Sequence, residues 1–265
     1  MRSTTTNTAL ISDKIGILLM AMIAMLVSQG VAQAQPTAVT YTVTFEATWS
    51  AATHPTDFPA DPHFSDLIGA THSDQVSFWQ TGSLASAGIE AMAELGSNSP
   101  FDDEIAAAIV AGDAGEFLLA AGIDSPGQQV LIVQATQDYS LLTWVAMIAP
   151  SPDWFIGVSG ADLLPGGEWV DELTIDLHAY DAGTDSGLSY ESDDLDTDPA
   201  DDISLLTTSP FDGGVPLGTL TITRLDGPMA SVPSMSGVAI GLVVGLLLLC
   251  GLTSLRVRRA RARLA

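Results

Sequence analysis

Residues 40–49 read TYTVTFEATW, a strict alternation of polar and apolar side chains. Tyr41, Val43, Phe45, Ala47 and Trp49 fall on one face, and Thr40, Thr42, Thr44, Glu46 and Thr48 on the other. A period of two, built from β-branched and aromatic residues, predicts a strand with one face in a core and one in water. Downstream, residues 54–64 (HPTDFPADPHF) carry three prolines and read as loop. Beyond residue 127 further strands are expected. Residues 130–135, 141–149 and 154–158 are apolar runs bounded by turn residues. In residues 169–177, Trp169, Leu173, Ile175 and Leu177 stand against Glu172, Thr174 and Asp176, and residues 218–225 form a last strand. Two short helices interrupt this pattern. Residues 83–95 place Ala85, Ile89, Met92 and Ala93 on one stripe, with Gly96 as the stop. A second helix is expected from Ser99, with Pro100 in its first turn and Asp102 three beyond the cap, ending at Gly112. There is no repeat and no regular βαβ alternation. The expected fold is all-β, an antiparallel β-sandwich with two short inserted helices.

Charge restricts what such a domain can do. The 265 residues include 32 Asp plus Glu, 8 Lys plus Arg, 4 His and one Cys. Residues 35–231 hold 31 of the acids and a single base, Arg224, for a net charge of −30. A body with one cation cannot neutralise phosphates, which excludes DNA and RNA as partners. It also cannot hold an anionic membrane surface by charge. Its self-repulsion calls for salt or a bound cation. Cys250 lies in the last apolar run, so the body has no disulfide and no thiolate chemistry.

The two ends read as addresses. Arg2 and Lys14, the apolar run 15–27 and the triplet Ala32-Gln33-Ala34 form a secretory signal peptide over residues 1–34, so the mature chain is expected to begin near Gln35. Residues 35–226 are the body and 227–236 a linker. Residues 237–255 are an uncharged apolar run, roughly 28 Å of helix, and read as a transmembrane anchor. Five arginines in 256–265 keep that end cytoplasmic and the body outside. Val232-Pro233-Ser234-Met235-Ser236, the span and the Arg cluster resemble the tripartite sorting tails of exported bacterial proteins, although the commonest such motif has Pro-Glu-Pro. That resemblance implies a membrane transpeptidase of the exosortase type as a partner, with the body released or transferred to the envelope.

Two stretches set carboxylates among rigid turn residues: 150–154 (PSPDW), with Asp153, and 180–187 (YDAGTDSG), with Asp181 and Asp185. Each lies at a strand end, and a Gly-containing turn between Asp181 and Asp185 can bring both carboxylates to one point. An all-oxygen cluster without cations suits calcium rather than zinc. The alternative from the residues alone is a set of solvated loop acids. Other signals are weaker. Asp194, Asp196 and Asp198 have the one-three-five spacing of an EF-hand loop, but Pro199 replaces its glycine and Leu205 its bidentate glutamate. That run, residues 192–202, reads as a solvated acidic loop, with a second ion left open. His54, His63 and His72 are spaced nine and nine, which fits no compact zinc motif and suggests structural histidines. No G-x-S-x-G elbow is present. The five tryptophans read as core rather than as a sugar platform.

The order of four stretches resembles the spondin N-terminal domain family. They are residues 41–49, residues 63–72 (HFSDLIGATH), residues 149–158 (APSPDWFIGV) and residues 180–187. Trp79, Gly88 and the helix end Ala93-Glu94-Leu95-Gly96 also match, and the likeness covers residues 39–226. The resemblance implies a C2-like sandwich with a calcium ion at one end, held by carboxylates that carry over onto Asp153, Asp181 and Asp185. It also implies secreted adhesion or matrix binding without catalysis. The expected function is therefore an exported, envelope-anchored, calcium-binding adhesion module whose extracellular or envelope ligand is unknown. A secreted hydrolase of envelope or extracellular polymers is the alternative.

Overall fold

The computed structural model describes residues 37–225. The expected signal peptide, sorting motif, transmembrane segment and basic tail lie outside these residues. Among the described residues, no helix is long and apolar enough to cross a membrane.

The strands are β1 (Ala38–Ala47), β2 (His63–Phe64), β3 (Leu67–His72), β4 (Ala114–Ala120), β5 (Ile123–Asp124), β6 (Gly127–Thr136), β7 (Leu141–Ala149), β8 (Trp154–Asp162), β9 (Glu172–Leu177), β10 (Tyr180–Asp181), β11 (Ser204–Leu205) and β12 (Gly218–Arg224). Two helices, α1 (Ala87–Leu95) and α2 (Phe101–Ala111), lie between β3 and β4. All pairings are antiparallel. One sheet runs β6-β1-β12-β9. The other runs β11-β10-β8-β7-β2-β5, with β3 bridging β7 to β4.

Strand β1 shows why the alternation folds as it does. Val39, Tyr41, Val43, Phe45 and Ala47 are all at most 2 % exposed and face the second sheet. The threonines between them stay half-exposed on the outer face. Strand β7 (LLTWVAMIA) has no such alternation because both its faces are covered. Leu142, Trp144, Ala146 and Ile148 enter the core between the sheets. Val145, Met147 and Ala149 join a second core under the helices, with Ile89, Met92, Phe101, Ile105 and Phe155. The architecture is thus three layers: sheet, sheet, helix pair. All five tryptophans are buried, as expected of core residues.

Several boundaries differ from the sequence reading. Helix α1 starts at Ala87 and not at residue 83. Ser83 accepts a hydrogen bond from Ile203 N (2.9 Å) and Leu84 bridges Asp202, so these residues are held extended. Ser86 is the true cap, accepting from Ile89 N. The Ser99–Asp102 box does not form; Pro100 occupies the cap position of α2 with no side-chain bond. Strand β9 starts at Glu172, leaving Trp169 buried just ahead of it. Strands β3 and β4 precede residue 127. Every residue of β3 is buried, so no alternation marks it, and β4 is an edge strand with an irregular burial pattern.

The register gives the sandwich two poles. At one, Tyr41 pairs with Arg224 and Ala38 with Thr136, and Leu225 N donates to Thr40 O (2.8 Å). The chain therefore enters and leaves the body at the same pole. At the other, Ala47 pairs with Gly218 and Gly218 with Leu177, while His63 pairs with Ala149. The loops bearing residues 150–153 and 181–187 belong to this second pole.

Candidate metal centre

Asp153 sits in the turn from β7 to β8 and is completely buried. Its Oδ2 accepts from Thr184 N (2.8 Å), Asp185 N (3.1 Å) and, more distantly, Thr184 Oγ1 (3.4 Å). Its Oδ1 is buried and has no partner. A buried polar atom without a partner is uncommon and calls for an explanation such as an ion.

Asp181 ends β10, half-buried, and its Oδ1 accepts from Gly183 N (2.8 Å). Asp185 is 7 % exposed. Its Oδ1 accepts from Gly187 N (2.6 Å) and its Oδ2 from Leu195 N (2.7 Å). Gly183 makes the turn between them possible. Its φ is +77°, and a Cβ there would stand 2.2 Å from Asp201 O, so only glycine fits.

The acidic run is part of this architecture. Its backbone lies along the loop: Ser186 N donates to Leu195 O (2.9 Å), Thr197 N to Thr184 O (2.8 Å) and Asp201 N to Gly183 O (2.8 Å), and Asp185 bridges Asp196. The side chains of Asp194, Asp196 and Asp198 remain exposed, so as carboxylates they are solvated, while as backbone the run is a wall of the site.

Electrostatics follow from burial and like charge. Burial raises the pKa of Asp153, against the hydrogen bonds from Asp185 and Thr184, and the Asp185 charge raises it further. Asp181 is pushed up to about 6, first by burial and then by the charge of Asp153. Glu94, in the last turn of α1, is also raised, mainly by burial, with contributions from Glu90, Asp153 and Asp185 and opposition from a hydrogen bond with Thr184. The one Lys or Arg among residues 37–225 is Arg224, at the opposite pole, 3.9 Å from Asp171.

The structure therefore brings Asp153 directly onto the Asp185 loop and sets Asp181 within electrostatic range. It does not close them into a ligand cage: among the described residues no group of three or more His, Cys, Asp or Glu side chains stands in metal-holding geometry. The donor set still fits a hard cation. It is all oxygen, it has an orphaned buried carboxylate oxygen at its centre, and each carboxylate keeps lone pairs beyond those its amide donors use.

The histidines are apart from this site. His54 contacts Thr53 Oγ1 (3.0 Å) and Val215 O (3.2 Å), and His72 contacts Ser73 O and Thr143 Oγ1 (both 2.8 Å). His63 contacts Asp61 O (2.9 Å). Each has a structural partner. Glu94 and Asp201 bear on the site without having been singled out in the sequence. Glu94 lay in the matched helix end, but nothing in a helical stripe shows which loop its last turn meets.

The Spondin_N family model matches residues 39–217. Spondin-2 of Homo sapiens is 35 % identical over 177 residues, covering 64 % of this chain and 53 % of the human one. Spondin-1 of Gallus gallus is 38 % identical over 186 residues, again 64 % of this chain but 23 % of the relative. The match thus spans about half of spondin-2 and under a quarter of spondin-1. With the match filling the sandwich from β1 to the residue before β12, this chain belongs to the Spondin_N family.

Proposed function

We propose that this chain is an exported calcium-binding module that works by binding, without catalysis, with Asp153, Asp181 and Asp185 as metal ligands. Family membership supports an extracellular, non-catalytic role. The observation that carries the metal reading is the fully buried Asp153 oxygen with no hydrogen-bond partner and no cation within its pole. Calcium would supply positive charge and six to eight oxygen coordination positions there. Asp153 would fix the Gly183–Gly187 turn through the Thr184 and Asp185 amides, and Asp185 would fix the acidic run through Leu195 N. The residues thereby turn three loops into one preformed surface, which presents the extracellular or envelope ligand with a rigid face. In the cell the module is held by the 237–255 segment, facing outward, until a sorting transpeptidase acts on the 232–236 motif.

Calorimetry of the full chain, with calcium and with chelator, tests the site. Calcium that binds only the folded state stabilises it by about 2.7 kcal/mol at a hundredfold excess over Kd. Asp153→Asn and Asp185→Asn should each remove most of that increment. Asp196→Asn, whose side chain is exposed, should leave it nearly intact. An increment that survives in the first two variants and vanishes in the third places the metal elsewhere.

A further inference from the structure

Strand β4 is an edge, and its outer face is apolar. Phe117 and Leu119 pair with Ala70 and Ile68 of β3, so all four share the face that carries the helical layer. Ala70 and Ile68 are fully buried there, whereas Phe117 is 40 % and Leu119 50 % exposed. Leu118 between them points the other way, into the core between the sheets. Helix α2 stands beside this strip. Its Phe101, Ile105 and Ala108 are buried. A second stripe, Asp102, Ala106 and Ile109, spaced four and three, lines a groove of about 400 Å³ together with Asp103, Phe117 and Leu119. Sheet edges are usually blunted with lysine or proline, and β4 (AGEFLLA) has neither. The edge itself is bridged to β6: Gln134 N donates to Glu116 Oε2 (2.5 Å) and Gln129 Nε2 to Ala121 O (2.7 Å). A partner is therefore seated on the face and not added as a further strand.

Charge selects the partner. Asp102 is half-buried and Asp103 exposed, and Asp102 Oδ1 accepts from Asp103 N (2.9 Å). The one Lys or Arg among residues 37–225, Arg224, lies beside Asp171, so the body supplies no base to these two carboxylates. A second copy would bring its own net charge of −30 on residues 35–231, and an anionic lipid surface would be repelled. A segment with apolar side chains on one face and Lys or Arg beside them matches both the floor and the rim.

We propose that the groove between α2 and β4 docks a basic amphipathic helix of a partner protein. Its apolar side chains rest on Ala106, Ile109, Phe117 and Leu119, and its bases lie over Asp102 and Asp103. None of these residues belongs to the proposed calcium ligands, so the site stands apart from the calcium reading.

The test uses the full chain, in chelator throughout, and a synthetic peptide of leucine and lysine set at helical spacing. Titration calorimetry should show that the parent binds this peptide and not its counterpart with glutamate in place of lysine. Leu119→Ser should weaken binding roughly tenfold or more, the worth of burying one leucine. Ile132→Ser removes an equally exposed side chain, 58 % accessible, from β6 of the other sheet, and should stay within about twofold of the parent. Asp102→Asn together with Asp103→Asn should weaken binding about three- to tenfold and flatten its salt dependence, as rim charges do. That double variant keeps the test decisive if Leu119→Ser does not melt like the parent. A parent that ignores the lysine peptide, or binds both peptides equally, overturns the proposal. So does an Ile132→Ser loss as large as that of Leu119→Ser. A parent dimer in sedimentation that Leu119→Ser abolishes makes a second copy the occupant, and overturns it too.

Discussion

At the scale of single residues, Asp181 is the most informative titrating group. Its carboxyl is pushed up to about 6 by burial and by the Asp153 charge, against 3.8 ordinarily. The sign is fixed by linkage. Between those two values the folded chain holds a proton that the unfolded chain has released, so stability falls as pH rises. In chelator, the melting temperature should therefore decline from about pH 4 to about pH 6 on account of this group. With Asp181 as the proposed calcium ligand, calcium should reverse the trend, because a ligand must be deprotonated. Calcium affinity should rise through the same window with proton release, which calorimetry in buffers of different ionisation enthalpy measures. A further outcome distinguishes this site from a merely structural one. Asp181→Asn keeps an oxygen for Gly183 N but removes the buried charge, so it should melt higher than the parent in chelator and lower than the parent in calcium. A variant that is less stable in both conditions would mean that Asp181 stabilises the loop as a hydrogen-bond acceptor and no more.

At the scale of elements, helix α1 is held by a clamp that no local motif in the sequence announces. Ser86 Oγ accepts from Ile89 N (3.2 Å) and donates to Glu104 Oε2 (2.7 Å), while Glu104 Oε1 accepts from Gly88 N (2.8 Å). One carboxylate of α2 thus caps the start of α1, across 18 residues of sequence. Ser86→Ala should cost about 1 kcal/mol, or about 2–4 °C in melting temperature for a domain of this size. The N3 position of α1, where a capping-box glutamate would stand, is Ile89, and the carboxylate comes instead from the first turn of α2, which a linear reading misses. Alternation located β1, and apolar runs bounded by turn residues located β7 and β8 closely; the last strand, β12, was also found. Neither signal located β3 or β4, one buried on both faces and one at an edge, where the alternation signal disappears. The three acids proposed as metal ligands, Asp153 with Asp181 and Asp185, stand out in the sequence as a motif. The role of residues 192–202 does not, because the acidity of the run is on its side chains and its structural work is done by its backbone. Gly183→Ala should be far more damaging than a loop glycine suggests, since it places a Cβ against the Asp201 carbonyl at positive φ. Loss of the calcium increment together with lower stability in chelator is the expected calorimetric signature.

At the scale of the whole molecule, the body folds with one ion pair involving Lys or Arg among its described residues, Arg224 with Asp171 at 3.9 Å. Two apolar layers on either side of β7 must outweigh a net charge of −30 on residues 35–231. Screening reduces that repulsion, so melting temperature in chelator should rise with sodium chloride between low and physiological ionic strength, where the Debye length shrinks from about 30 to about 8 Å. A flat or falling curve would mean that the carboxylates are too dispersed to repel. The shared pole of entry and exit has a mechanical meaning. Thr37 and Leu225 lead into neighbouring antiparallel strands at the same rung, Tyr41 with Arg224. Tension applied between those two points would peel β1 from β12 like a zipper, one pair of amides at a time, and would reach Ala47 and Gly218 last. A sandwich pulled this way yields at low force, but its far pole stays intact until nearly all of that seam has opened. The pole carrying Asp153, Asp181 and Asp185 lies at the end of that seam which opens last.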